Sequence, residues 1–253
     1  MKTTKFLIVF LSMFGLQNLK AQTQNAAPPV SENSTSGFVA LNFGTSVPLS
    51  FNYAKSGYNF DISEGMPIKH SRFGIAFKFD YTGNSFDLNS WFNDNIPNPV
   101  PSGYAYAAQS SGNFSSSTVL VGAFITLPLH RFSFDFRIMG GIMFANYPSI
   151  AYAVSYTDIY GNVTTVGAGE DAANGSGVAF DLGWGVRYNV SSKICLMLNF
   201  DYLSSTPSFS TNIAAAAWDA NNNLTTVTQP YSFKHTYAYS IETFGIGWVF
   251  GGK

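Results

Sequence analysis

Each of the three histidines has a hydroxyl residue close to it in the chain: His70 beside Ser71, His130 three positions before Ser133, and His235 beside Thr236. A histidine that takes the proton of a serine or threonine hydroxyl is the core of nucleophilic catalysis, so each pair is a candidate for acyl transfer or peptide cleavage. None is bracketed by a recognisable nucleophile motif, and Glu242 stands well along the segment that follows His235. No cluster of His, Cys, Asp and Glu has metal-ligand spacing, and neither Gly140-Gly141 nor Gly161-Asn162 sits in a phosphate-cradling loop. These residue types predict no enzyme, no cofactor and no metal site.

The remaining polar chemistry lies at alternate positions within long apolar runs. From Arg72 to Tyr81, Phe73, Ile75, Phe77, Phe79 and Tyr81 share one face, and Arg72, Gly74, Ala76, Lys78 and Asp80 the other. The split recurs with Phe132, Phe134, Phe136, Ile138, Ile142 and Phe144 against Ser133, Asp135, Arg137, Met139 and Gly141. It appears again with Phe180, Leu182, Trp184 and Val186 against Asp181, Gly183, Gly185 and Arg187. A fourth copy sets Leu196, Leu198, Phe200 and Tyr202 against Cys195, Met197, Asn199 and Asp201. Arg72, Lys78, Arg137 and Arg187 thereby share the small, polar face with Asp80, Asp135, Asp181 and Asp201, four of each sign. Buried charges persist only when paired, so the equal count predicts a mutually neutralised internal network.

Period-two alternation also describes a soluble sandwich or lipocalin, whose apolar face points inward. Three features select the opposite sense. The runs have the length of a tilted membrane strand rather than the usual soluble five or six residues. Their polar face carries Gly, Ala and balanced charges instead of the Lys and Glu of a wetted surface. Tyr81, Phe132, Tyr188, Tyr202, Trp248 and Phe250 fall near run ends, where interfacial girdles belong. Composition agrees: charged residues are 11% of the 253, aromatics 17%, and the mean hydropathy is only +0.07. A net charge of −1 argues against a nucleic-acid partner, and the single cysteine, Cys195, excludes an intrachain disulfide.

Both ends of the chain carry export features. Lys2 and Lys5 precede an apolar run from Phe6 to Phe14, and Ala21 offers a cleavage point, so residues 1–21 are expected to be a removed secretory signal and 22–36 a flexible linker. Residues 37–250 then form one domain, followed by a short extension at 251–253. In the closing segment, Thr243, Gly245, Trp248 and Phe250 fill a polar-x-Gly-x-x-aromatic-x-aromatic pattern. This pattern resembles the C-terminal signal that hands bacterial outer-membrane barrels to their assembly machinery, except that Gly251, Gly252 and Lys253 follow the last aromatic.

Connection lengths set the strand count. Leu127 to Arg131 and Asn189 to Lys193 are tight turns, whereas long segments join Tyr81 to Ser116, Tyr147 to Ser176 and Leu203 to His235. Strands are expected near 72–82, 116–127, 132–146, 177–190, 193–204 and 236–250. Phe38 to Thr45 adds another, and an even number requires a partner within Phe51 to Ile62. The expected fold is an all-β, transmembrane antiparallel β-barrel of eight strands with long extracellular hairpin loops. Asp158 to Val166 and Asp219 to Val227 each place an Asx-rich turn between β-prone residues, which predicts two related hairpins. The segment from Ser85 to Ser115, with Trp91, Phe92 and three prolines, is expected to fold across the mouth or pack on a neighbour.

Residues 37–250 thus resemble the small OmpA-like and OmpX-like outer-membrane barrels. The resemblance implies residence in the outer membrane of a Gram-negative bacterium, export through the general secretory pathway, and contact with membrane lipid, lipopolysaccharide and the barrel assembly machinery. It transmits no substrate and no catalytic residues. Two function classes follow: a non-enzymatic surface protein whose loops bind a protein or glycan partner or serve a structural role, or a small-solute pore or accessory subunit of a transport complex.

Overall fold

Strand β3 (Phe73–Asn84) shows how the pattern becomes architecture. Phe73, Ile75, Phe77 and Phe79 stand on its open face while Ala76, Lys78 and Asp80 are buried on the other. An apolar outside and a polar inside reverse the order of a water-soluble domain. The computed structural model describes residues 36–50, 53–68, 71–96, 98–221 and 223–251. The expected signal and almost all of the linker, together with His70, Gly252 and Lys253, lie outside the described residues.

The further strands are β1 (Gly37–Pro48), β2 (Gly57–Pro67), β4 (Tyr104–Ser111), β5 (Phe114–Leu129), β6 (Phe132–Tyr147), β7 (Ser149–Thr157), β8 (Val163–Glu170), β9 (Ala173–Asn189), β10 (Ile194–Ser205), β11 (Ser208–Trp218), β12 (Leu224–Lys234) and β13 (Tyr237–Phe250). Eight of them, β1-β2-β3-β5-β6-β9-β10-β13, pair antiparallel in that order. The ring closes where β13 pairs with β1, from Gly37 opposite Phe250 to Pro48 opposite Tyr239. The chain is therefore a transmembrane antiparallel β-barrel of eight strands, with no free edge in its wall. Its outer belt of Phe, Ile, Leu, Val and Trp side chains is exposed around the whole ring, a surface that only lipid covers at low cost.

The second strand lies further along than expected. The window Phe51 to Ile62 is replaced by Gly57–Pro67, because Ala54 is already bridged to Phe86 and the Lys55 amide donates to the Ser85 carbonyl. Tyr58, Phe60, Ile62 and Met66 set the outward face, and Glu64, on that same face, hides the continuation in sequence. At one end of the ring the connections are short. His130 and Arg131 alone join β5 to β6, with His130 at a φ of 57°, and Ser191 accepts the amides of Lys193 and Ile194 before β10.

At the other end the wall strands run on into a second structure. β7 follows β6 across Pro148, β11 follows β10 across Thr206-Pro207, and β4, β7, β8, β11 and β12 pair into an extramembrane sheet. The two expected hairpins, β7–β8 and β11–β12, turn identically. In each, an aspartate (Asp158 or Asp219) accepts two backbone amides and the side-chain amide of an asparagine four positions on. Hydrogen bonds to the charged carboxylate hold both aspartates below their usual range, led by the Asn162 side-chain amide at Asp158 and the Asn223 backbone amide at Asp219. The segment after β3 forms helix α1 (Leu88–Asn95), whose first turn is capped by Asp87 accepting the Ser90 amide at 3.3 Å. It packs on its neighbour β7 through Trp91 and Tyr152, 5.8 Å apart.

Candidate functional site

Two places could carry function: the interior of the ring and the sheet above it. The interior is filled in three tiers. At the short-turn end, Phe38, Ala40, Cys195, Met197 and Val249 form a buried apolar cluster. Arg187 lies 4.5 Å over the Phe38 ring and reaches Asp135 at 3.4 Å. Asp135 is held further by the Thr126 hydroxyl, which donates at 2.6 Å.

The middle tier is ionic. Lys78 Nζ lies 2.9 Å from Asp201, 3.1 Å from Asp181 and 3.9 Å from Asp80. Arg137 donates to the other oxygen of Asp201 at 2.8 Å and to Asn199 at 3.1 Å. Asn42 donates to Asp61 and to Ser63, while Asn59 and Thr82 both donate to Asp80. The structure thus brings together Lys78, Asp80, Arg137, Asp181 and Asp201, and sets Asp135 with Arg187 as a separate pair. Arg72 is not among them: it precedes β3 and is exposed, since strand parity assigns no face to a residue outside the strand.

Asp61, absent from the sequence-based set, belongs to this tier. It is buried and sits directly opposite Asp80 in the β2–β3 register. The equal charge count is thereby corrected. Among the described residues, three cations, Lys78, Arg137 and Arg187, and five carboxylates, Asp61, Asp80, Asp135, Asp181 and Asp201, are buried inside the ring. The alternation Asn59, Asp61, Ser63 against Phe60 and Ile62 was the available signal for Asp61.

The third tier closes the mouth. Phe86, Phe114, Tyr147, Phe209, Tyr237 and Tyr239 belong to one buried cluster, with ring centroids 5.3 Å apart for Phe114–Tyr147 and 6.1 Å for Tyr237–Tyr239. His235 lies flat on Phe114 at 6.3 Å and edge-on to Tyr237 at 5.6 Å, and burial pushes its imidazole below the usual value. The candidate histidines are therefore dispersed: His235 at the mouth and His130 in a turn at the opposite end. Ser133 and Cys195 both face the interior and are buried. Among the described residues no group of three or more His, Cys, Asp or Glu is placed to hold a metal ion.

The closing pattern has a structural side as well. Thr243 faces the interior beside Asn199, and Gly245 does so against Asn42, where a Cβ would meet the Asn42 oxygen. Trp248 and Phe250 project outward onto the lipid-facing surface.

No family model matches the chain, and no curated protein matches it in sequence. Among solved structures, the attachment invasion locus protein Ail of Yersinia pestis is similar at 10% identity over 86% of this chain and 99% of that one, with a TM-score of 0.41. Neisserial surface protein A is similar at 12% identity over 85% and 97%, with a TM-score of 0.42. A major outer membrane protein from Thermus thermophilus is similar at 9% identity over 85% and 99%, with a TM-score of 0.43.

Proposed function

We propose that the chain is a non-enzymatic surface protein of the Gram-negative outer membrane, exported by the general secretory pathway, whose extramembrane sheet binds a partner outside the cell. The observation that supports this most is the division of the molecule into a filled ring and an open sheet. Apolar, ionic and aromatic tiers occupy the interior, consistent with the little space an eight-strand circumference encloses. Beyond the membrane, β4 and β12 leave sheet edges unpaired among the described residues, and Tyr160, Val163, Val227 and Tyr231 are exposed nearby. The short turns then face the periplasm and the hairpins the exterior. Lipid and the lipopolysaccharide leaflet are the partners of the outer belt.

The test is to replace 150–169 and 209–233 by short turns. The shortened protein should keep heat-modifiable mobility in detergent gels, since the wall strands retain their pairings, and should lose attachment to any surface the intact protein binds. A folded, shortened barrel with undiminished attachment would defeat the proposal.

Within the same reading, Thr243, Gly245, Trp248 and Phe250 serve as the signal for the assembly machinery. Trp248 and Phe250 lie on the outside, where an assembling partner can reach them, and neither packs in the interior. Phe250→Ala is expected to lower the amount of folded protein in the outer membrane far more than deletion of Lys253, as read by quantitative blotting of membrane fractions. Equal amounts in both strains would make the pattern accidental.

A further inference from the structure

We infer that the aromatic rings of Tyr104, Tyr106, Tyr156 and Trp218 form a binding strip for a neutral oligosaccharide; the inference rests on the surface-binding reading and names its ligand class. Tyr104 and Tyr156 are opposite one another in the β4–β7 register, with ring centroids 5.0 Å apart. Tyr106 stacks beside Tyr104 at 6.4 Å and 16°. Trp218 meets Tyr156 edge-on at 5.3 Å, which carries the line from β4 across β7 to the tip of β11. Trp91 against Tyr152 adds a second, smaller aromatic surface nearer the barrel.

These rings are neither core nor simple surface. The sheet has its own buried apolar contacts in Ile150, Val154, Ala168 and Leu224, and the strip extends past them, partly exposed, to Trp218 at 47% exposure. The phenol hydroxyls of Tyr104, Tyr106 and Tyr156 and the indole N–H of Trp218 make no hydrogen bond within the described residues. Each ring therefore offers an apolar face and an unused polar edge side by side. A pyranose has matching parts: a face of C–H groups that packs on an aromatic ring and a rim of hydroxyls that hydrogen-bonds to its edge.

Charge selects among carbohydrates. In the five extramembrane strands the only Asp, Glu, Lys or Arg residues are Glu170 and Lys234, both at ends next to the barrel. A sulfated or uronate chain would find no cation along the strip to replace its hydration and counterions, and the two carboxylates that flank it, Asp158 and Asp219, already accept the amides of their own turns rather than a basic partner. A neutral chain has no charge to desolvate there, and Thr164, opposite Tyr156 on β8, supplies a further hydroxyl.

The test uses the full-length protein in lipid nanodiscs on an array of neutral hexose and N-acetylhexosamine oligomers alongside sulfated and uronate oligomers. Binding to neutral oligomers is expected, weakened roughly tenfold by Tyr156→Ala or Trp218→Ala through loss of one stacked contact. It should be unchanged by Ile159→Ala, whose side chain stands at the β7–β8 tip at 89% exposure, outside the strip. Heat-modifiable mobility in each variant shows that the barrel is intact. An array without neutral binders, binding confined to charged oligomers, or undiminished binding by both strip variants would overturn the inference. If shortening the hairpins abolishes attachment of whole cells while Tyr156→Ala and Trp218→Ala leave it intact, the strip fails and the surface-binding reading stands.

Discussion

Lys78→Met should destabilise the barrel by about 3–5 kcal/mol, whereas Asp61→Asn should cost less than about 1 kcal/mol or stabilise it. The two residues occupy the same buried ionic tier, so burial alone does not predict the difference. Lys78 touches three carboxylates, Asp80, Asp181 and Asp201. Without it, Arg137 is the remaining cation of a cluster that also holds Asp61, because Arg187 is committed to Asp135. Among the described residues Asp61 has no cation at ion-pair distance, and it faces Asp80 across the β2–β3 register, so its neutral isostere keeps the shape of the Asn42 contact and removes a like-charge repulsion. Arg137→Met should fall between them, because Lys78 still holds Asp201. Urea unfolding from lipid vesicles, followed by heat-modifiable mobility, measures all three. Equal losses for Lys78→Met and Asp61→Asn would show that charge balance does not govern the interior.

The second large effect is steric, and it separates two adjacent glycines. Gly141→Val should abolish the folded form and Gly140→Val should leave it close to the parent. Gly141 faces the interior where β5 and β6 approach closely, and a Cβ there would overlap the Val119 carbonyl oxygen. Gly122 across the same strand pair is equally confined, its Cβ running into the Ile138 carbonyl oxygen. Close backbone approach at these positions lets the wall curve tightly enough to close. Gly140 points to lipid, and its Cβ would meet nothing nearer than the Ala179 oxygen at 3.9 Å. The folded fraction of each variant in outer-membrane preparations decides it.

Much of the wall was legible because lipid on one side and packed polar groups on the other impose strict alternation on β3, β6, β9 and β10. β2 was harder to place. Glu64 shares its outward face with Phe60 and Ile62, so the apolar rhythm stops before the strand does, and Asp61 was lost with it. The error at Arg72 has the opposite cause, alternation extended one residue past the start of β3. The two hairpins were visible in their Asx turns, because that turn is built from local hydrogen bonds. The pairing of β4 with β7, and so the aromatic strip, depends on which distant segment lies alongside. Nothing in Tyr-Ala-Tyr-Ala-Ala-Gln specifies a neighbour. The mouth cluster draws Phe86, Phe114, Tyr147, Phe209 and Tyr237 from separate stretches of chain and has no sequence period at all.

On the proposed reading the ring is a filled support and activity resides outside it. Single-channel recording of the full-length protein in planar bilayers tests this most directly. With the ionic tier around Lys78 and the aromatic tier around Phe114 both in place, the current should stay at the background of the protein-free bilayer. A large, steady conductance from the wild-type protein would contradict the account and make the interior, not the sheet, the working part of the molecule.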